Sequence, residues 1–219
     1  MTNKADVLRR IHEVGLVPVV RAGSATMARR AVAAVRQGGI PIVEITMTVP
    51  GAIEVIRSLA KEAGPEVLIG AGTVLDATTA KQCVEAGAQF VVSPTLNFDT
   101  VACCKEMDVA VIPGALTPTE IVAAWTAGAD LIKVFPAGAV GGPSYLKALK
   151  GPLPEIKLVP TGGVSLANAA AFLEAGAEAL GIGSDLIDTT ALSNGNDETV
   201  SQRAQQYVEI VSRARNGSA

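Results

Sequence analysis

The chain has 219 residues, of which 49% are hydrophobic and 18% charged, so it is long enough to bury a sizeable core. One histidine and three cysteines are too few soft ligands for a zinc or iron site, and they argue against a histidine-dependent catalytic triad. The net charge of −3, with no basic block, argues against nucleic acid as a main partner.

The apolar residues are interrupted too often for a membrane protein. No uncharged stretch reaches the roughly 18 apolar residues of a membrane span without a glycine or proline. The segment from Met1 to Arg10 carries scattered charges and no apolar core, so no signal peptide is expected. An odd number of cysteines, with Cys103 and Cys104 adjacent, favours a reduced, cytoplasmic protein without a membrane partner.

Short segments rich in Val, Ile and Leu recur every 19 to 26 residues or so, a spacing that suits one strand plus one helix. The predicted strands are Val17 to Arg21, Ile42 to Thr48, Val67 to Thr73, Phe90 to Thr95, Val109 to Leu116, Leu131 to Phe135, Leu158 to Gly162 and Ala179 to Ser184. Alanine-rich stretches with helical periodicity lie between them. These are Ala25 to Gln37, Ala52 to Ala63, Thr79 to Ala86, Thr119 to Ala127 and Leu166 to Ala175.

Eight strand–helix units without a linker predict an α/β protein, a single (β/α)8 TIM barrel domain over residues 1–219. An extra N-terminal helix, Asn3 to Val14, and a C-terminal helix, Asp197 to Arg215, would flank the barrel. The segment Asp188 to Glu198 is predicted to be an exposed loop. A doubly wound open sheet would need a switch in strand order that this pattern does not show.

Alternation along the strands predicts which side chains point into the barrel. In the second strand the apolar alternates face the helices, which turns Glu44, Thr46 and Thr48 inward. The same reasoning turns Lys133 and Phe135 inward in the sixth strand. The other residues assigned to the interior are Arg21, Thr73, Pro94, Pro113, Thr161, Leu131 and Ser184.

An acid and an amine inside one narrow barrel have two interpretations. Lys133 and Glu44 can form a structural ion pair, but desolvation offsets most of the attraction in such pairs, which favours a functional role. A lysine desolvated by Phe135 and nearby prolines favours the amine form, and an amine adds to a ketone to give a Schiff base. Glu44 would then transfer protons, unless it is a structural partner of Lys133 or Arg21.

Two glycine-containing loops late in the chain indicate a phosphate site. Thr161, Gly162 and Gly163 follow the seventh strand, and Gly183 and Ser184 end the eighth. Backbone amides at such loops approach an anion closely, and the loops after strands seven and eight are the usual phosphate site of (β/α)8 enzymes. Glycine is also common in ordinary turns, so this prediction depends on the two loops coming after strands seven and eight.

Seven ordered motifs make the chain recognisable. They are EITMTVPGA (Glu44 to Ala52), IGAGTV (Ile69 to Val74), GAQFVVSP (Gly87 to Pro94), IPGALTPTE (Ile112 to Glu120), IKVFPAGAVGG (Ile132 to Gly142), PTGGV (Pro160 to Val164) and GIGS (Gly181 to Ser184). Together they resemble the bacterial 2-keto-3-deoxy-6-phosphogluconate (KDPG) / 4-hydroxy-2-oxoglutarate (KHG) aldolase family, from about Val17 to Leu186. The resemblance implies a metal-free class I pyruvate aldolase without a cofactor, on a (β/α)8 barrel, assembled as a homotrimer.

The resemblance also assigns roles. Lys133 matches the Schiff-base lysine and Glu44 the general acid and base. Residues around the pyruvyl unit and in the phosphate loops match Thr73, Pro94, Phe135, Thr161, Gly162, Gly163 and Ser184. Many members carry an arginine four residues after the glutamate, where it holds the substrate carboxylate, whereas this chain has Thr48. We therefore expect Arg21 to supply the missing cation, since a guanidinium binds a carboxylate through two hydrogen bonds.

The reaction that follows is reversible cleavage of KDPG, a small sugar acid phosphate, to pyruvate and D-glyceraldehyde 3-phosphate. Cleavage of 4-hydroxy-2-oxoglutarate to pyruvate and glyoxylate is a related activity. Three alternatives stay open at this point. They are an aldolase for the epimeric galactonate-derived substrate, a phosphate-binding isomerase or epimerase that uses Glu44 without a covalent adduct, and a binding protein without turnover.

Overall fold

The computed structural model describes residues 3–64 and 66–216. Met1, Thr2, Pro65 and the last three residues lie outside the described part of the predicted domain. The strands are β1 (Leu16–Val20), β2 (Ile42–Thr46), β3 (Leu68–Gly72), β4 (Phe90–Val92), β5 (Ala110–Ile112), β6 (Gly114–Ala115), β7 (Ile132–Val134), β8 (Leu158–Pro160) and β9 (Leu180–Ile182). Each predicted strand is present but shorter at its carboxyl end. The fifth is divided at Pro113, which has no N–H for the strand ladder.

Helices separate nearly all of the strands. They are α1 (Lys4–Val14), α2 (Ala25–Gln37), α3 (Ala52–Glu62), α4 (Ala77–Glu85), α5 (Phe98–Glu106), α6 (Pro118–Thr126), α7 (Pro143–Lys150), α8 (Ala169–Glu174), α9 (Thr189–Ser193) and α10 (Glu198–Asn216), with a 3-10 helix at Ala137–Val140. The predicted loop from Asp188 to Glu198 is wrong in part. The Asp188 carboxylate accepts a hydrogen bond from the Ala191 N–H at 2.9 Å and so begins the short helix α9.

The strands form a curled parallel sheet, which confirms the predicted α/β class. Six strands pair in the order β5-β4-β3-β2-β1-β9, and three pair in the order β6-β7-β8. All of these pairs are parallel. No helix in the described ranges is long and apolar enough to cross a membrane.

The sheet separates two apolar clusters. The outer cluster lies between strands and helices and includes Val43 and Ile45 of β2. The inner cluster fills the concave side and includes Ile42, at the start of the same strand. Val7 and Ile11 of α1 also belong to the inner cluster, so α1 covers the amino ends of the strands. The polar residues that follow on the inner face therefore lie toward the opposite, carboxyl ends.

Candidate active site

Glu44 and Lys133 occupy the middle positions of β2 and β7. The residues on either side of Lys133, Ile132 and Val134, pack in the outer cluster, as do those on either side of Glu44. The structure therefore places both side chains on the concave side, where alternation predicts them. They are almost entirely buried, with 2% of Glu44 and 5% of Lys133 exposed.

The Glu44 carboxyl lies in surroundings that favour its protonated form. Its Oε1 atom is buried and has no hydrogen-bond partner among the residues that the structure describes. Burial raises the pKa of Glu44 above its ordinary value, and the positive charges of Lys133 and Arg21 oppose that shift without cancelling it. A carboxyl with a raised pKa exchanges protons more readily near neutral pH, as a general acid and base must.

Strand β3 leaves space for the Glu44 carboxyl. Gly72 pairs with Thr46 of the neighbouring strand, and a Cβ added at Gly72 would overlap Oε1 of Glu44. Two positions earlier on the same face, a Cβ added at Gly70 would overlap the ring of Phe90 instead. The two glycines thus make room for different side chains, one in the site and one in the inner cluster.

We expect Gly72→Ala to lower kcat by about tenfold or more. The added methyl displaces Glu44, and small displacements of a reacting group lower the rate strongly. Gly70→Ala is the matched control, since its methyl displaces Phe90 and should lower the melting temperature more than kcat. Steady-state kinetics and thermal melts of both variants test this. Equal kcat values for the two variants would contradict it.

A cavity of about 470 Å³ opens beside Lys133. It is lined by Val19, Arg21, Ala22, Gly23, Lys133, Phe135, Thr161, Gly183, Ser184, Ile187 and Thr189. The Lys133 Nζ atom lies 5.3 Å from the centre of the Phe135 ring, within reach of a cation–π contact. Arg21 is exposed at the rim. The cavity thus combines an amine with a guanidinium, which suits a keto acid.

A second cavity, of about 390 Å³, adjoins the first. It is lined by Gly163, Val164, Ser165, Gly183, Ser184, Asp185 and Arg203. Gly183 and Ser184 line both cavities, so the two cavities lie side by side. Three of the residues predicted for phosphate, Gly163, Gly183 and Ser184, lie here. Gly162 lies next to Phe135, since a Cβ added to it would be 3.3 Å from that ring.

The alternation rule fails for three residues near strand ends. In β3 the inner positions are Leu68, Gly70 and Gly72, and Thr73 lies beyond the end of the strand, where alternation does not determine its direction. Thr73 follows the strand with φ of 57°, outside the extended range. Pro113 and Ser184 stand two positions after the outer residues Val111 and Ile182, so strict alternation would place them on the outer face. Ser184 nevertheless lines both cavities, from beyond the end of its strand.

Thr48 and Pro94 line neither of these two cavities. The Thr48 hydroxyl lies 2.7 Å from that of Thr46, which is 3.1 Å from the Val20 carbonyl. Pro94 is half-buried and continues the inner face of β4. Sequence reasoning missed Ser165, Ile187, Thr189 and Arg203 as cavity residues. Of these, Ile187 and Thr189 had a signal, because both closely follow the eighth predicted strand.

Comparison with known proteins agrees with the motifs. The family model described as KDPG and KHG aldolase matches residues 7–203. A 2-dehydro-3-deoxy-phosphogluconate aldolase of Treponema pallidum is 35% identical over 206 residues, 94% of this chain and 96% of the relative. A KHG/KDPG aldolase of Escherichia coli is 36% identical over 172 residues, 78% of this chain and 80% of the relative.

The fold is also similar to a solved structure. The KDPG aldolase of Legionella pneumophila, with pyruvate captured as a covalent carbinolamine intermediate, superposes with a TM-score of 0.81 and 29% identity. The superposition covers 90% of this chain and 96% of that one. The chain belongs to the KDPG and KHG aldolase family.

Proposed function

We propose that this protein is a class I aldolase, a carbon–carbon lyase that reversibly cleaves KDPG to pyruvate and D-glyceraldehyde 3-phosphate. The observation that carries the proposal is a buried lysine, Lys133, that lines a cavity of about 470 Å³ and shares the interior with the buried acid Glu44. The names of the relatives from T. pallidum and E. coli support KDPG as the substrate. The E. coli name supports 4-hydroxy-2-oxoglutarate, cleaved to pyruvate and glyoxylate, as a second substrate.

The covalent step uses the Lys133 amine. Its Nζ atom adds to the C2 ketone, and the carbinolamine loses water to give an iminium ion. A proton acceptor then takes the C4 hydroxyl proton while the C3–C4 bond breaks, and the bonding electrons move into the imine. This releases glyceraldehyde 3-phosphate and leaves an enamine, which is protonated at C3 and hydrolysed to pyruvate. The pyruvate carbinolamine of the L. pneumophila structure corresponds to one stage of this sequence.

Glu44 is the group that we assign to the proton transfers. Its pKa is raised by burial, and its Oε1 atom has no competing hydrogen bond. We assign to the same carboxyl the return of a proton during carbinolamine dehydration, through a water molecule or the substrate. The Phe135 ring, whose centre lies 5.3 Å from the amine, places an apolar side chain beside Lys133.

The two ends of the substrate would be held at opposite sides of Lys133. We assign the carboxylate to Arg21 and the phosphate to the loops that carry Gly163 and Ser184. Thr161 lines the first cavity and is buried, with 7% exposed. The roles of Thr48, Thr73, Pro94, Gly162 and Gly183 in substrate binding stay predictions.

We expect Arg21→Ala to lower kcat/KM for KDPG by about tenfold or more, mainly through a higher KM. The variant loses the charge-assisted hydrogen bonds between the guanidinium and the substrate carboxylate. Arg29→Ala is the matched control, because Arg29 lies on the outer surface and pairs with Glu62 at 3.2 Å. Initial-rate kinetics measure both variants. A kcat/KM for Arg21→Ala within about threefold of wild type would contradict the assignment.

We further propose that the curled sheet is a complete (β/α)8 barrel. The strands β5 and β6 are separated by Pro113 alone, and bridges from Leu158 to Ala177 and from Thr161 to Gly181 link β8 toward β9. The helices α1 and α10 would be its N-terminal and C-terminal additions. The proposed assembly is a cytoplasmic homotrimer, and the exposed apolar side chains of Phe98 and Leu75 support a contact between copies of the chain.

Pyruvate release tests the function against its rivals. KDPG, its galactonate-series epimer and 4-hydroxy-2-oxoglutarate are compared by coupling pyruvate to NADH oxidation with lactate dehydrogenase. The highest kcat/KM is expected for KDPG. A preference for the epimer would change the substrate and keep the aldolase class. Isomerisation or epimerisation of the sugar phosphate without pyruvate would overturn the proposal.

A further inference from the structure

Arg203 lies on α10, outside the strands and loops that supply the rest of the site. Its side chain nevertheless lines the 390 Å³ cavity. Among the residues that line this cavity, Arg203 is the one that carries a positive charge. Gly163, Ser165 and Ser184 share this cavity with it. The C-terminal helix therefore brings a fixed positive charge to the end of the site that lies away from Lys133.

The contacts of Arg203 hold it in place without using all of its donors. Its Nη1 atom donates to the Asp185 carbonyl at 3.0 Å and to the Asp188 carboxylate at 3.4 Å. Nε and Nη2 take part in neither contact. The ion pair with Asp188 is long and partly exposed, with 36% of the Arg203 side chain accessible, so it is a weak one.

The cavity also contains a carboxylate that an anionic ligand must tolerate. Oδ2 of Asp185 accepts hydrogen bonds from the Leu166 N–H, at 3.3 Å, and from the Tyr207 hydroxyl. These donors hold the carboxylate but leave its negative charge in the cavity. Backbone amides at glycine loops carry only partial charges, so Arg203 supplies the full positive charge that offsets Asp185 beside a phosphate dianion.

We propose that Arg203 binds the substrate phosphate and determines specificity for phosphorylated over unphosphorylated keto acids. This inference rests on the proposed function, since it concerns the far end of the same substrate. In the structure Nη1 pairs with Asp188, and when substrate binds the guanidinium donates to phosphate oxygens from Nε and Nη2. A planar guanidinium suits two such oxygens at once.

Arg203→Met tests the inference, with Arg213→Met as its control, because Arg213 lies on the same helix and is 80% exposed away from the cavity. For Arg203→Met we expect kcat/KM for KDPG to fall by about tenfold or more, through a higher KM. The kcat/KM for 4-hydroxy-2-oxoglutarate should stay within about twofold of wild type. Arg203→Lys should recover part of the loss. Equal losses on both substrates, or none on either, would overturn the inference.

Asp188→Asn gives a second variant that retains the helix cap, since asparagine is as good an N-cap as aspartate. It frees Arg203 from a competing charge, so KM for KDPG should fall. A rise in KM would show that the pair itself is needed and would overturn the inference.

Calorimetric titration with inorganic phosphate separates this inference from the proposed function. The wild type should bind phosphate at least about tenfold more tightly than Arg203→Met does. If the wild type releases no pyruvate from KDPG, the proposed function fails, while the titration still decides the role of Arg203. Equal phosphate affinities would overturn that role even in an active aldolase.

Discussion

Replacement of Lys133 by methionine is expected to lower kcat for KDPG cleavage by about ten-thousand-fold or more, because the variant lacks the nucleophile of the covalent step. Lys133 is the one lysine among the residues that line the two cavities. Methionine retains most of the side-chain length without a charge, so the fold should be kept. The measurement is pyruvate release at saturating substrate.

The matched control is Lys147→Met, since Lys147 is exposed on α7 and lines neither cavity. Its kcat should equal that of the wild type. A Lys133→Met enzyme with the control's melting temperature and a kcat within tenfold of wild type would contradict the assignment. That result would favour an isomerase or another non-covalent chemistry at this site.

Glu44→Gln is the second substitution with a large expected effect. It should lower kcat by about a hundredfold to ten-thousand-fold, the contribution usual for a positioned acid and base, with little change in KM. The amide has nearly the same shape as the carboxyl but takes up no proton. Single-turnover measurements separate its effect on chemistry from product release. A kcat within threefold of wild type would contradict the role of Glu44.

The pH dependence of kcat follows from the environment of Glu44. Burial raises the pKa of this carboxyl, with Lys133 and Arg21 opposing the shift. Below that pKa the carboxyl is protonated and cannot accept the C4 hydroxyl proton, so kcat should fall as pH decreases. The midpoint should lie above the ordinary carboxyl value of about 4.5. In Glu44→Gln this acid limb should be absent, and a limb with an unchanged midpoint would contradict the assignment.

The sequence predicts the central positions of the strands better than their ends. Glu44 and Lys133 each lie between apolar neighbours in a regular strand, so alternation places them correctly. Alternation requires extended backbone. Thr73 has a positive φ and Pro113 lacks an N–H, so both depart from the pattern. Nothing in the spacing of hydrophobic residues reports these local interruptions.

Three helices were not predicted. The helices α5, α7 and α9 contain one alanine each, so they lack the alanine-rich pattern on which the other short helices were predicted. They begin at local signals, which are the Asn97 side chain, Pro143 and the Asp188 side chain. Arg203 was missed because its contribution depends on how α10 packs beside the loops, a tertiary contact that strand alternation does not report.

Covalent trapping tests the central claim most directly. The wild-type protein is incubated with pyruvate and sodium borohydride, digested and mapped by mass spectrometry, with Lys133→Met in parallel. We expect one reduced pyruvyl adduct per chain on the peptide that contains Lys133, loss of activity in step with its formation, and no adduct in the variant. An enzyme that cleaves KDPG yet carries no adduct on Lys133 would contradict the claim.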